Sequence, residues 1–438
     1  MSYSSDTIYA LSSGSLPAGV AVIRISGSKA FEASRILVGA EPPMPRKASL
    51  QTIRSRNGEP IDQALVLHFQ APHSFTGEDC VELQVHGSRA VVAAIFDILE
   101  NQTGFRPAEA GEFSKRAFDN GKMDLLEVEG LADLLKAETE MQRRLAVEQS
   151  TGKLSNLYDG WAHQLTRCRA LIEAELDFAD EEDVPDSVAE QVWAKVAQLE
   201  QDLSAHIETG TGSEIIRDGF RVALVGAPNV GKSSLMNALS GRDVAIVTDI
   251  AGTTRDVLSV DLDVDGYLVT LFDTAGIRDT SDIVEREGIR RATLTAETAN
   301  LVLHLSDTDS YPEQIWESQA TLRLYTKADN IGVTSLNGDL SVSVVTGEGL
   351  HELKHLIKIA IEQQVGGAAS LVPGRSRHKK RLEETLNYVR EALASEGMEL
   401  AIRSEYLRLA ATSLGRITGR VDVEDLLGVI FSEFCVGK

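Results

Sequence analysis

The sequence is short of cysteine and of positive charge, and each shortage argues against a class of protein. The three cysteines among 438 residues, Cys80, Cys168 and Cys435, lie too far apart for a disulfide framework or a zinc site. No apolar run approaches the length of a membrane span. The first residues lack the basic start and apolar stretch of a secretory signal. We therefore expect a protein of the reducing cytoplasm without a membrane span.

The charge balance also limits the possible partners. Lysine and arginine number 43 against 66 aspartates and glutamates, a formal net charge of −23, which argues against indiscriminate binding of nucleic acid. A local basic patch could still contact RNA. The length predicts two to four domains, and the hydrophobic content of 43% is that of an ordinary globular protein.

One stretch, Gly226–Ser233, fits the phosphate-binding pattern G-x-x-x-x-G-K-[S/T]. It follows the apolar, strand-like run 220–225 and precedes a helical run, which is the order that the motif requires. Backbone N–H groups would surround phosphates, Lys232 would reach the terminal ones, and Ser233 would bind magnesium. The phosphate-side residues predicted here are Asn229, Val230, Gly231, Lys232, Ser233 and Ser234.

Further nucleotide-binding segments follow at the ends of predicted strands. Asp273 would hold magnesium through water, and the Gly276 N–H would meet the γ-phosphate. The Asp329 carboxylate can accept two hydrogen bonds from N1–H and the amino group of guanine, with Lys327 along the base plane. Thr326 precedes them, and Ser343 begins the last base-contacting loop. These segments predict GTP rather than ATP.

Two positions depart from the usual GTPase pattern. Thr326 stands where asparagine is usual, which keeps a hydrogen-bonding side chain with a looser loop. Ile277 stands where Ras-like enzymes have a glutamine that orients water, and isoleucine cannot do so. Oxygens of Asn229 and of the segment 248–256 could hold a monovalent cation that replaces an arginine finger electrostatically.

The chain pattern predicts a multidomain α/β and α architecture. Residues 1–118 indicate an α+β domain, with strands over 21–25, 64–69 and 81–86 and a helix over 91–99. Residues 119–216 and 366–438 indicate two parts of one helical domain. Between them, 217–365 indicates an inserted, doubly wound P-loop domain with a hairpin at Asp265-Gly266. The basic cluster at 375–381 is interpreted equally as a solvated face or as an RNA or partner contact.

Motifs outside the nucleotide domain carry a more specific resemblance. They include Ser74-Phe75-Thr76-Gly77-Glu78-Asp79, Gly121-Lys122-Met123-Asp124-Leu125, the segment Gly252-Thr253-Thr254-Arg255-Asp256 and the final Phe434-Cys435-Val436-Gly437-Lys438. With these motifs the chain resembles, over essentially its whole length, the bacterial tRNA-modification GTPase family MnmE, also called TrmE.

The resemblance implies an activity and a set of partners. It implies a folate-binding N-terminal domain that forms a homodimer, and G domains that pair across potassium during GTP hydrolysis. An FAD-containing MnmG-type protein would join in a heterotetrameric complex. Together they would place an aminomethyl or carboxymethylaminomethyl group on the wobble uridine of certain tRNAs. The folate would be 5,10-methylene- or 5-formyl-tetrahydrofolate.

The same resemblance implies roles for individual residues. Potassium would be bound by Asn229, Thr248, Ile250 and Thr253, and magnesium by Ser233 and Thr254. Glu285 would orient the attacking water. Cys435 would take part in the modification chemistry, with a buried small apolar residue as an equal alternative. The folate contacts would be Arg24, Glu82, Lys122 and Lys438.

Two other functions are alternatives to this one. A regulatory GTPase of ribosome assembly shares the phosphate loop, but usually carries a basic RNA-binding appendage or a second G domain, neither of which is visible in the sequence. A scaffold with a degenerate G domain is disfavoured because the nucleotide-binding side chains are retained, namely Lys232, Ser233, Thr254, Asp273 and Asp329.

Overall fold

The chain forms two compact units. A computed structural model describes residues 6–41, 44–177, 188–227, 229–241, 258–273, 297–307, 320–329, 340–366, 373–394, 399–421, 427–428, 430–431, 434 and 436–437. Unit 1 comprises 1–132, 155–159 and 415–438, and unit 2 comprises 133–154 and 160–414. The domain boundaries given above stay a prediction.

Unit 1 is built on a six-stranded sheet in the order β3-β4-β5-β2-β1-β6, antiparallel except for the parallel pair β1–β6. Its strands and helices are β1 (Thr7–Leu11), β2 (Ala18–Ser26), α1 (Ala30–Val38), β3 (Ser49–Arg54), β4 (Pro60–Phe69), β5 (Cys80–Gly87), α2 (Arg89–Glu100), β6 (Phe105–Pro107) and α3 (Glu112–Asp119). The three predicted strands and the helix over 91–99 are confirmed. Strands β1, β3 and β6 and helices α1 and α3 were not predicted.

The alternation of side chains gives this sheet two different faces. On one face Ile23 and Ile25 of β2 lie in a large core with residues of α1 and α2. On the opposite face Ile8 and Ala10 of β1 meet Phe113 of α3 in a smaller cluster. Arg24 lies between Ile23 and Ile25 and therefore points to this second face.

Unit 2 contains a second six-stranded sheet, in the order β12-β11-β10-β7-β9-β8. All its neighbouring strands are parallel except β8 and β9, which form an antiparallel hairpin. Its elements are β7 (Phe220–Gly226), α9 (Lys232–Ser240), β8 (Leu258–Val264), β9 (Tyr267–Asp273), β10 (Leu301–Ser306), β11 (Ala320–Thr326), β12 (Leu340–Val342) and α10 (Leu350–Val365). The doubly wound fold and the hairpin are therefore confirmed. The hairpin turns at Asp265 and Gly266, whose φ angles of 51° and 89° are those that such a turn requires.

Helices flank this sheet in sequence, as predicted. They are α4 (Leu125–Lys136), α5 (Glu140–Ser150), α6 (Lys153–Asp177), α7 (Val188–Thr209), α8 (Thr211–Asp218), α11 (Ser376–Ala394) and α12 (Leu400–Thr418). The apolar stripe of α6 is buried at Leu154, Leu165, Cys168 and Ile172. Within the described ranges, no helix combines the length and the apolar character that crossing a bilayer requires.

The basic cluster at the start of α11 is partly structural. Arg375 forms an ion pair with Asp133 at 2.7 Å, and Arg381 forms one with Glu384 at 2.7 Å. His378 is fully buried. The two interpretations of the cluster therefore apply chiefly to Lys379 and Lys380, and the choice between them stays open.

The chain enters and leaves the inserted nucleotide domain at adjacent points. Ser213 Oγ donates to the carbonyl of Pro373 at 2.8 Å, and the Arg217 guanidinium donates to the carbonyl of Gly374. A side chain at Gly212 would lie 2.3 Å from the Val365 carbonyl oxygen, so the two segments touch backbone to backbone. These contacts hold the first and last segments of the nucleotide domain together.

Helix α5 makes a second connection between the helices and the nucleotide domain. The Met141 N–H donates to the Gly266 carbonyl at 3.0 Å, and Gln142 Nε2 donates to the Arg217 carbonyl at 2.9 Å. Met141 and Leu145 pack against the core of the nucleotide domain. The first turns of α5 therefore contact both the hairpin turn and the end of α8.

Candidate functional site

The phosphate loop joins β7 to α9 at the carboxyl edge of the parallel sheet. A side chain at Gly226 would lie 2.4 Å from the Leu305 carbonyl oxygen, so only glycine fits there. Asn229 and Gly231 have φ angles of 62° and 105°, and Gly231 precedes the first residue of α9. The N–H groups at the start of this helix form the kind of site at which proteins bind phosphate.

Lys232 lies inside this loop, with only 5% of its surface exposed. Its Nζ donates to the carbonyls of Gly226 at 2.7 Å and Ala227 at 2.9 Å. Burial lowers the pKa of Lys232, and the Asp273 carboxylate opposes that shift. The ammonium is thus held at the loop, where phosphate oxygens could replace the carbonyls as its partners.

The two residues predicted to serve magnesium on the phosphate side are in contact. Ser233 Oγ donates to Asp273 Oδ2 at 2.7 Å. Asp273 ends β9 and is 2% exposed. A hydroxyl and a carboxylate oxygen are ligands that suit magnesium, so this pair can hold the ion directly or through water.

The base side of the site lies at the ends of β10, β11 and β12. Ser343 Oγ donates to Asp329 Oδ1 at 2.8 Å, which orients the predicted guanine-binding carboxylate. Lys327 has a φ of 60°, and its Nζ lies 2.6 Å from Asp307 Oδ2. The hydrogen bond from Lys327 lowers the pKa of Asp307. Asp307 was not among the predicted site residues, although its place directly after β10 could have pointed to it.

Hydrogen bonds hold the Thr326 side chain in place, whereas a looser loop was expected at this position. Its Oγ1 lies 2.6 Å from the Val230 carbonyl oxygen and 3.2 Å from that of Ser306. Thr326 is 5% exposed and Val230 is 1% exposed. Thr326, which stands where asparagine is usual, therefore connects β11 directly with the phosphate loop.

Several predicted site residues lie outside the described part of the chain. They are Thr248, Ile250, Thr253, Thr254, Gly276, Glu285, Cys435 and Lys438. Ile277, which lacks the chemistry to orient water, also lies there. Of the predicted potassium ligands, only Asn229 lies in the described part of the chain. Ser234, a predicted nucleotide contact, is exposed beside Ser233 on α9. The roles of all these residues stay predictions.

A second cluster of predicted residues lies on the sheet of unit 1. Arg24 of β2 forms an ion pair with Glu82 of β5 at 3.0 Å. The guanidinium carbon lies 4.7 Å from the ring centre of Phe75 and 5.6 Å from that of Phe113. Arg24 Nη1 is buried and has no hydrogen-bond partner among the described residues. The arrangement holds a cation firmly and leaves one of its donors for a ligand.

The loop that carries Phe75 is built by polar contacts within unit 1. Thr76 Oγ1 lies 2.7 Å from Ser26 Oγ, and the Thr76 carbonyl accepts a 2.7 Å hydrogen bond from Asn120 Nδ2. Arg116 forms an ion pair with Glu78 at 3.0 Å. Lys122 is exposed, and its methylene groups lie beside Gly77. Three of the four predicted folate contacts, Arg24, Glu82 and Lys122, thus lie on or beside this loop and β2–β5.

Residues close to the end of the chain lie against the same sheet. Val436 forms an antiparallel bridge with Ala110, and the Gly437 carbonyl accepts a 2.8 Å hydrogen bond from Ser12 Oγ. A side chain at Gly437 would overlap the Leu11 carbonyl oxygen, at 2.0 Å. The segment 436–437 therefore runs beside the end of β1.

Two models of known protein families match this chain over most of its length. Residues 7–122 match the model of the GTP-binding protein TrmE N-terminus, and residues 125–435 match that of the MnmE helical domain. A tRNA modification GTPase MnmE of Agrobacterium fabrum (strain C58) is 70% identical over 439 residues, which cover 99% of each chain. One of Rhizobium johnstonii is 57% identical over the full length of both chains. The chain belongs to the MnmE family. It is a GTP hydrolase of tRNA modification.

Solved structures resemble part of this MnmE family member. The G domain of the Thermotoga maritima FeoB iron transporter is 32% identical over 32% of this chain and 98% of its own, with a TM-score of 0.25. Aquifex aeolicus Era bound to GDP and aluminium fluoride is 23% identical over 38% of this chain and 66% of its own, with a TM-score of 0.26.

Proposed function

We propose that this GTPase depends on potassium and magnesium and couples GTP hydrolysis to folate-dependent modification of the wobble uridine in certain tRNAs. An FAD-containing MnmG-type protein is the proposed partner, and the modification is an aminomethyl or carboxymethylaminomethyl group at C5. The observation that carries the proposal is the presence in one chain of two candidate sites, a phosphate loop in contact with Asp273 and a guanidinium in contact with two aromatic rings. The chain's full-length similarity to proteins named tRNA modification GTPases supports joining them in one function. The cytoplasm is the proposed compartment.

The chemistry of the donor atoms supports the proposed metals. The Ser233 hydroxyl and Asp273 carboxylate are hard oxygen donors, so they fit magnesium, with Thr254 as a further proposed ligand. The Asn229 side chain is exposed at the phosphate loop, and its oxygen fits a larger monovalent cation. Such an ion supplies positive charge near the transferred phosphoryl group. Glu285 is the proposed residue that orients the attacking water, since Ile277 has no polar atom for that task.

The unpartnered donor of Arg24 supports a folate at unit 1. A reduced folate presents carboxylates and a carbonyl, and a guanidinium binds such oxygens through charge-assisted hydrogen bonds. Glu82 accepts a hydrogen bond from Arg24 Nε, which fixes the plane of the guanidinium. Lys122 and Lys438 are the further proposed contacts, and Cys435 is a proposed participant in the modification chemistry.

An exposed apolar area supports the proposed homodimer. Leu50 of β3 and Leu65 of β4 lie opposite each other in the sheet and are 66% and 41% exposed. Val20 of β2, a strand that β5 separates from β4, is 58% exposed. Neighbouring exposed apolar side chains on a sheet are typical of interaction surfaces.

The proposed reaction predicts a specific defect in tRNA. A strain that lacks this gene should lose the C5 modification of the wobble uridine, and the wild-type gene should restore it. A Lys232→Ala variant should not, because it removes the ammonium that reaches the phosphates. Mass spectrometry of tRNA nucleosides measures the modification directly.

The competing function gives the opposite result in this experiment. A regulator of ribosome assembly would leave the tRNA nucleosides of the deletion strain unchanged and would alter the ribosomal subunit profile. That outcome would replace the proposed function with the alternative.

GTP hydrolysis should be about a hundredfold faster in potassium than in sodium, because losing one group that stabilises transition-state charge typically lowers the rate by about that factor. Asn229→Gly should remove this difference, because glycine tolerates the φ of 62° and lacks the oxygen. Asn229→Asp keeps an oxygen and is the matched control. Steady-state hydrolysis in the two salts measures the effect, and equal rates for the wild type would exclude the potassium ion.

The full chain should bind 5-formyl-tetrahydrofolate, and Arg24→Ala should weaken binding about 10- to 100-fold, as expected for loss of a charge-assisted hydrogen bond. The control is Arg35→Ala, which removes an exposed arginine paired with Glu41 in the same domain. Calorimetry measures both affinities, with GTPase activity as a check of folding. An unchanged affinity in the Arg24 variant would place the folate elsewhere.

A further inference from the structure

The Thr326 hydroxyl connects two parts of the nucleotide site that lie 96 residues apart in sequence. Its oxygen is 2.6 Å from the Val230 carbonyl in the phosphate loop and 3.2 Å from the Ser306 carbonyl in β10. A threonine hydroxyl has one proton to donate. The shorter distance assigns that proton to Val230.

The connection fixes where the base can lie relative to the phosphates. Thr326 ends β11, and Asp329 follows three residues later, oriented by Ser343. Val230 is buried in the core beneath α9, so its carbonyl is a rigid point of attachment. A guanine read by Asp329 through its N1–H and amino groups turns its N7 acceptor toward the opposite edge of the site.

We propose that Thr326 determines how the site reads guanine, because its only proton is committed to the phosphate loop and none is left for N7. The usual asparagine has two N–H donors on one amide and can serve a loop carbonyl and N7 together. The recognition of guanine here then rests on Asp329, without a hydrogen bond from position 326 to N7. This inference depends on the proposed assignment of Asp329 to the base.

The alternative use of the proton is unfavourable. Turning the hydroxyl to N7 would break a buried hydrogen bond, which typically weakens an equilibrium about five- to hundredfold. A new neutral hydrogen bond to N7 would restore about two- to tenfold. The attachment to Val230 therefore persists when nucleotide is bound.

The test compares GTP with 7-deaza-GTP, which has a carbon in place of N7, on the full chain by competition binding. Wild type and Thr326→Ser should bind the two nucleotides within about twofold, since neither offers a donor to N7. Thr326→Val keeps the shape and removes the proton, so both affinities should fall together, about fivefold or more. Thr326→Asn should prefer GTP over 7-deaza-GTP about two- to tenfold.

The wild-type comparison decides the matter whether or not every variant folds. A fivefold or greater preference of the wild type for GTP would show that N7 is read, and the proposal would be wrong. Wild-type affinity in Thr326→Val would show that the attachment does not support binding.

Asp329→Asn separates the two assumptions. If Asp329 reads the base, this variant should lose affinity for GTP and gain affinity for xanthosine triphosphate, whose 2-oxo group accepts from the amide. Unchanged GTP affinity in this variant would overturn the assignment of the base itself, and the claim about Thr326 with it.

Discussion

The proposed coupling depends on the double attachment of the nucleotide domain to the helices. Contacts of Ser213, Arg217 and Gly212 with segment 365–374 hold the beginning and end of the domain side by side. Such a joint keeps the two segments from separating. Among the described residues, this joint and α5 are two places where a change at the nucleotide can reach the helices.

Helix α5 lies where such a change would arrive. The β8–β9 hairpin begins at Leu258 and ends at Asp273, so its two strands join two segments that are predicted to contact the nucleotide. Its turn, at the far end, is held by the Met141 N–H and by an ion pair between Asp265 and Lys358 at 2.9 Å. The hairpin therefore connects Asp273, which contacts Ser233 of the phosphate loop, with α5. Nucleotide states can shift the helices only to the extent that they differ in affinity for the two arrangements.

Much of this organisation could be predicted from sequence because its chemistry is local. The phosphate loop is eight contiguous residues between a strand and a helix, and Asp273 and Asp329 follow predicted strands. The missed features depend on contacts distant in sequence. Strand β6 has only three residues and exists by pairing with β1, while the stacking of Phe75 and Phe113 on Arg24 joins three separate segments. The attachment of Thr326 to Val230 is likewise invisible until the sheet brings them together.

The most direct test of the coupling is the number of uridines modified per GTP hydrolysed, in a reaction reconstituted with the proposed FAD-containing partner, the proposed folate and tRNA. The double variant Met141→Ala, Leu145→Ala removes the apolar contact of α5 with the nucleotide domain. It should hydrolyse GTP within a few-fold of wild type and lower this ratio at least about fivefold. Arg144→Ala, an exposed change on the same helix, should leave the ratio unchanged. A wild-type ratio in the double variant would contradict transmission through α5.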